Sequence, residues 1–366
     1  MPSQKKRFVF LVQGEGRGHM TQAIVLYHLL TRNGHEVSCA FIGTSKRRKV
    51  PDYFLEQIKC PIYPLKSPNF VTDKDNRRIR LFSTILYNAF FIGRYTSSMW
   101  KMHVQMKKYK PDYFINFYDF LGGFFARFFR MSAKHVVIGH QFLAGHPSFP
   151  FAEGMPINKF LFKVNNYLTS LNAHRKIALS FMPYFPPRVG NIYVVPPLVR
   201  QEIKDMNAEQ GNFLLGYVVN AGYGEEFIKW HANNLHIEMH CFWDNSDFPD
   251  EYQPHENLTM HQVSASKFLD YMRKCMGYVS TAGFESICEA MYLEKPVLMI
   301  PVEGQYEQVC NAIDAANAGA GIYDSEFKID RLISYIPHHK QSSQSFKTWE
   351  EKSEKKILAV FDIKNE

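Results

Sequence analysis

The sequence predicts an α/β chain folded as two Rossmann-like domains that face each other across a cleft. Three observations lead there. Strand and helix patterns alternate over most of the length, which implies parallel sheets with helices on both faces. Each half opens on an apolar strand that runs into a glycine loop. Phe8–Val12 leads into Gln13-Gly14-Glu15-Gly16-Arg17-Gly18-His19, and Phe213–Val219 into Asn220-Ala221-Gly222-Tyr223-Gly224. Finally, 366 residues at 46% hydrophobic content suffice for two domains that each bury a core.

The elements follow in order. After the first strand, a helix is predicted from about Thr21 to Asn33, with Ala23, Leu26, Tyr27 and Leu30 on one face and Gly34 as its C-terminal stop. Val37–Ile42, Tyr113–Phe117 and His135–Gly139 are further strands of a first domain spanning residues 1–198. The Pro-rich Val195-Pro196-Pro197-Leu198 and the polar run Gln201–Gln210 mark a linker at 199–210. Residues 211–347 form the second domain. The charged tail, 348–366, is predicted as a helix that packs back on the first domain.

Six cysteines without paired spacing read as reduced core thiols, which places the chain in the cytoplasm. The apolar run after Lys5-Lys6-Arg7 is too short for a signal peptide, and no run of 18 apolar residues exists. The formal charge is +8. Two basic clusters, Lys46–Lys49 and Lys74–Arg80, lie near the aromatic-rich stretches Leu81–Ile92 and Phe120–Phe129. Either these form a surface for an anionic bilayer at the inner face of the membrane, or the aromatics are core and the cations a solvated rim. No reading motif or dense basic stripe points to nucleic acid.

The first glycine loop is not a dinucleotide fingerprint, since position 19 is histidine and the second strand ends in Ile42-Gly43-Thr44 without an acidic residue. It is not a phosphate loop of the Gly-Lys-Ser/Thr kind either. More telling is Ser280-Thr281-Ala282-Gly283-Phe284-Glu285-Ser286-Ile287-Cys288-Glu289, followed by Lys295-Pro296-Val297 and by Gly304-Gln305-Tyr306-Glu307-Gln308 with Asn311. A strand runs into small residues and a helix start, whose free N–H groups and dipole attract phosphate. The helix carries Glu285 and Glu289 four apart, where like charges repel by a few tenths of a kcal/mol. A helix kept for stability alone has little reason to hold both.

This block resembles the donor half of GT-B glycosyltransferases, in particular the bacterial lipid-linked GlcNAc-transferases of peptidoglycan synthesis. The resemblance implies a GT-B fold and a nucleotide-diphosphate sugar, a UDP-sugar, as co-substrate. It places Gly283 and Ser286 at the phosphates, Glu289 at the ribose, and Gln305, Glu307 and Gln308 at the transferred sugar, with Thr281 also among the donor-binding residues. Val263 and Ser264, within His261–Ser266, fall where backbone reads the base. Gly16, Arg17, Gly18, Asn220 and Gly222 line the donor from the two glycine loops. His140 and Gln141 match part of an acceptor segment whose glutamate is absent here.

His19 is the expected general base, since imidazole titrates near neutrality and a helix start keeps it neutral. The alternative is a histidine that only contacts phosphate or sugar. Asp119, just past the strand Tyr113–Phe117, either orients His19, acts as base itself, or caps the next helix. Thr281 stands where many retaining relatives carry glutamate, which favours inversion. No Asp-x-Asp follows a strand, so no metal is expected, and the spacing of His236 to His240 falls in an alternating run that reads as strand. The acceptor is a glycan of the cell envelope, a glycolipid or a small hydroxylated molecule. Two rival functions are a nucleotide-sugar sensor without transfer and a UDP-sugar epimerase; against the latter, Thr281–Ile287 lacks the epimerase pattern.

Overall fold

The structure, a computed structural model, describes residues 5–14, 16–44, 50–68, 88, 90–218, 221–245, 247–339 and 343–363. Among them, eight strands make the first sheet: β1 (Arg7–Gln13), β2 (Glu36–Thr44), β3 (Ile62–Lys66), β4 (Tyr113–Phe117), β5 (Lys134–Ile138), β6 (Arg175–Leu179), β7 (Arg188–Val189) and β8 (Ile192–Val195). Their order is β3-β2-β1-β4-β5-β6-β8-β7, parallel except for the β7–β8 pair. The second sheet holds β9 (Leu214–Val218), β10 (Met239–Trp243), β11 (Glu251–His255), β12 (Leu258–Gln262), β13 (Gly277–Ser280), β14 (Val297–Met299) and β15 (Gly321–Tyr323). Its order is β11-β12-β10-β9-β13-β14-β15, parallel except for β11–β12. In both sheets the order reverses beside the first strand, and crevices at such switch points take ligands.

Helices α1 (Arg17–Arg32), α2 (Asp52–Gln57), α3 (Ile92–Tyr109), α4 (Phe120–Phe128) and α5 (Pro156–Thr169) belong to the first half. A short α6 (Gln201–Lys204) lies between the sheets. Then come α7 (Ala221–His231), α8 (Ala265–Lys274), α9 (Phe284–Tyr292), α10 (Tyr306–Asn317), α11 (Ile329–Tyr335), α12 (Ser343–Glu350) and α13 (Ser353–Val360). Helix α1 starts four residues before the expected Thr21 and so takes Arg17, Gly18 and His19 into its first turn. Its Ala23, Leu26 and Leu30 are buried against the sheet as their spacing requires, and Gly34 follows at φ 79°. The run expected as a strand from Leu235 begins only at Met239, so His236 and His240 do not share it; His240 pairs with His261 at 3.1 Å instead.

The tail holds two helices, α12 and α13. Helix α13 and its end touch the first sheet: Tyr113 Oη donates to the Phe361 carbonyl at 2.7 Å, and Lys134 and Arg175 pair with Asp362. Five of the six cysteines are buried and all six are free thiols. Among the described residues no helix is long and apolar enough to cross a membrane. Lys46–Lys49, Lys74–Arg80 and, within Leu81–Ile92, residues 81–87 and 89 lie outside the described residues.

Helix α10 clamps the two halves together on one side of the cleft. Tyr306 Oη donates to the Ala152 carbonyl at 2.7 Å, Tyr184 Oη donates to Asp314, and the Ala152 N–H meets Cys310 Sγ at 3.5 Å. Phe181 packs on Phe284 at 4.6 Å between ring centres. These contacts hold the cleft at a set width.

Candidate active site

A cavity of about 420 Å³ lies between the carboxyl ends of the two sheets. Four helices begin on its wall: α1 at Gly16, α8 at Ser264, α9 at Gly283 and α10 at Gln305. Among the described residues, none of the four N-cap residues bonds its own side chain to the helix's free N–H groups. Uncapped helix starts carry partial positive charge and unmet donors, so four around one space make a strong anion site. Sequence makes this possible locally. Gly14 lets the loop after β1 press on β2, since a Cβ there would sit 2.2 Å from the Gly43 carbonyl. At Gly283 a Cβ would meet nothing within 4 Å, so that backbone faces open space.

Most of the residues expected from sequence meet here. Gly16, Arg17, Gly18 and His19 line one wall; Val263, Ser264, Thr281, Gly283, Ser286, Glu289, Gln305, Glu307 and Gln308 line the other. His140 and Gln141 reach the same space. Gln308 also accepts from the Val302 N–H at 2.9 Å, which shapes the turn after β14. Gly222 is not among the lining residues, and Asn220 lies outside the described residues.

Of the three readings open for Asp119, the structure shows the helix cap. Asp119 neither touches His19 nor enters the cavity. It caps α4, accepting from the Leu121 N–H at 2.8 Å and from Ser67 Oγ at 2.5 Å. A short carboxylate at the end of β4 finds the free N–H two residues on before it can reach another helix. Its burial raises the carboxyl to about 6. His140 turns its nitrogens away from the first-loop wall: Nδ1 donates to the Leu179 carbonyl at 2.8 Å, and Nε2 faces the Asp314 carboxylate at 3.6 Å. What it shows the cavity is a ring stacked on Phe284 at 4.3 Å. Gln141 likewise donates across the cleft to Glu307 at 2.9 Å.

His19 sits in the first turn of α1, partly open to the cavity and otherwise ringed by protein. Tyr118 lies beneath it with ring centres 5.7 Å apart. The strained φ of 61° at Tyr118, which a bulky residue seldom adopts, turns the chain sharply just after β4. Burial lowers the imidazole to about 4, opposed in part by a bond to Gln22. At neutral pH the ring is therefore uncharged and can accept a proton.

Three residues escaped the sequence as site members. Arg200, in the segment taken as linker, donates from Nε to Glu289 Oε1 at 2.6 Å and lines the cavity. Glu285 accepts from Gln22 Nε2 at 2.5 Å across the cleft, and burial raises its carboxyl to about 8. Only Glu285 had a signal, its unfavourable spacing from Glu289.

The profile of glycosyl transferase family 1 matches residues 6–338 of the chain. No curated protein matches it. Among solved structures, the glycotransferase of kitacinnamycin is 13% identical with a TM-score of 0.67, over 99% of this chain and 98% of that one. A UDP-glucosyltransferase from Polygonum tinctorium capable of glucosylating indoxyl is 11% identical with a TM-score of 0.64, over 100% of both chains. MurG from Acinetobacter baumannii is 14% identical with a TM-score of 0.57, over 98% of this chain and 99% of that one. Likeness at such low identity speaks for the fold, and the two facing Rossmann-like domains found here are the GT-B arrangement.

Proposed function

We propose that this chain, which belongs to glycosyl transferase family 1, moves a sugar from a nucleotide-diphosphate donor to a hydroxyl acceptor, with inversion and without a metal. The donor is a UDP-sugar, and the acceptor a glycan, glycolipid or small hydroxylated molecule. The observation that carries the reading is the meeting of four uncapped helix starts around one cavity that also holds a neutral histidine. A diphosphate needs the first; attack by a hydroxyl needs the second.

The reaction balances in one displacement. The acceptor oxygen attacks the anomeric carbon as its proton passes to His19. The bond from that carbon to the phosphate oxygen breaks, and its electron pair leaves with the diphosphate. Charge that builds on the leaving group is met by helix starts fixed in place beforehand, with Arg17 and Arg200 also lining the cavity. Glu289, held by Arg200, keeps a second carboxylate oxygen for the ribose hydroxyls.

UDP, UDP-glucose and UDP-GlcNAc are the probes for the test. Thermal unfolding should rise with at least one of them, by about 2.7 kcal/mol of added stability at 100 times its Kd. His19→Ala should keep that rise while hydrolysis of the same UDP-sugar falls about 10²–10⁴-fold, the usual worth of a general base. Stabilisation by none of the three would remove the donor reading. Undiminished turnover in His19→Ala would remove the base.

A further inference from the structure

We propose that Glu285, acting across the cleft through the Gln22 amide, is the residue that positions His19 for proton transfer. The inference rests on the reading of His19 as base. An imidazole works as a base only when one nitrogen holds its proton in a fixed bond and the other offers a lone pair to the acceptor. Asp119 does not supply that bond: its Oδ1 accepts from Ser67 and from the start of α4, and its Oδ2 lies against Gly43 of β2 with no bond to His19.

Gln22 does. It stands three residues after His19 on the same face of α1, with Oε1 at 3.4 Å from His19 Nδ1. A primary amide accepts at one end and donates at the other. Its NH₂ end is taken by Glu285 Oε1 at 2.5 Å. With a carboxylate holding that end, the carbonyl end must turn to His19. Nδ1 then carries the proton, and Nε2 carries the lone pair.

The opposing wall is shaped to admit Glu285. A Cβ at position 18 would lie 3.1 Å from Glu285 Cγ, so the third glycine of the first loop leaves the space that the carboxylate of the second domain fills. This also gives the residue pair Glu285 and Glu289 separate work. Glu289 is paired with Arg200, whereas Glu285 turns to the first domain. When His19 accepts a proton, the Glu285 carboxylate stands behind the amide as its counter-charge.

The same chain of bonds has a second arrangement. A protonated Glu285 donates to Gln22, the amide turns over, and its NH₂ faces Nδ1. The imidazole proton then sits on Nε2 and the base is lost. Among the described residues, the charged and titratable groups that line the cavity with Glu285 are Arg17 and His19 on α1, Tyr53 on α2, His140 after β5, Arg200 before α6, Tyr217 on β9, Glu289 on its own helix, and Glu307 on α10. Burial dominates and raises the Glu285 carboxyl to about 8; the Gln22 bond lowers it, Glu289 raises it and Arg200 lowers it. The working arrangement therefore gains population as pH rises through that value.

Full-length protein labelled with ¹⁵N-histidine reads the tautomer directly, His19 being assigned by its loss in His19→Ala. In the native chain the signal should move from Nε2–H toward Nδ1–H between about pH 6 and pH 9, with the ring neutral throughout. In Glu285→Leu and Gln22→Leu that movement should vanish. UDP-glucose hydrolysis gives the second readout. Glu285→Leu should lose about tenfold or more in kcat with KM for UDP-glucose within about threefold, because a wrong tautomer costs the chemical step. Glu285→Gln, which keeps an acceptor oxygen but cannot titrate, should flatten the rise of kcat with pH. A His19 tautomer indifferent to residues 22 and 285 would overturn the proposal alone. Full turnover in His19→Ala would overturn the base assignment and the proposal with it.

Discussion

The two halves of this chain each begin with a strand and a glycine loop, yet the loops do unrelated work. After β1 two glycines open onto the space between the halves: Gly16 and Gly18 line the cavity, and Gly18 makes room for Glu285. After β9 Gly224 clears a path for a core side chain. A Cβ at Gly224 would lie 2.4 Å from the ring of Trp243, which is fully buried on β10. Gly222, two residues earlier, is absent from the cavity wall. A glycine loop at a switch point is thus a licence for close approach, and the sequence does not say what approaches. The neighbour decides it.

Substitution at Gly18 is the sharpest way to break this contrast. Gly18→Val puts two methyl groups where Glu285 and the cavity now are. Turnover of a UDP-sugar should fall about 100-fold, the order expected when catalytic groups are displaced by about 1 Å. The midpoint of thermal unfolding should hardly move, because the new atoms enter the cleft and not the core. A stable, fully active Gly18→Val enzyme would mean that the first loop is packing, like the second.

Gly224→Ala should show the reverse. The methyl overpacks α7 against Trp243, which costs about 1–3 kcal/mol, less up to about 1 kcal/mol returned by alanine's better helix propensity. At about 2–4 °C per kcal/mol for domains of this size, the midpoint should drop by a few degrees. KM for the donor should stay within about twofold. A larger change in KM than in stability would place the second loop at the ligand after all.

The same contrast explains what was legible in the sequence. The alternation of strands and helices, and the buried stripe Ala23, Leu26 and Leu30, follow from local periodicity and hold in the structure. The residues from Thr281 to Gln308 are contiguous, so one helix start and one turn carry them to the cavity together. The first-domain wall is different. Gln22 belongs to it through a partner 263 residues away, and Arg200 through one 89 residues away. Asp119 looked well placed at a strand end, but its side chain was claimed by the nearest N–H group. His140 gives one nitrogen to the Leu179 carbonyl of its own half and faces Asp314 of the other half with the second. Such competition for polar partners is settled in three dimensions and leaves no periodic trace.

Glu307 offers the smallest effect and a test of how the second wall tolerates acid groups at an anion site. It lies in the first turn of α10, bonded to Gln141, and burial raises its carboxyl to about 7 from a model-peptide value near 4.5. The folded chain therefore holds this proton more tightly than the unfolded one. The contribution to stability is full below about pH 4.5 and is lost as pH rises through about 7. Glu307→Gln keeps the oxygen that Gln141 donates to and never ionises. Native and variant chains should unfold at similar temperatures near pH 4.5, and the variant should be the more stable by a few degrees above pH 7, measured by thermal scans across that range. A gap that fails to open with rising pH would show that Glu307 is solvated when the cavity is empty. The wall bearing α10 would then be a wet surface, unlike the closed pocket that Gly18, Gln22 and Glu285 form around His19.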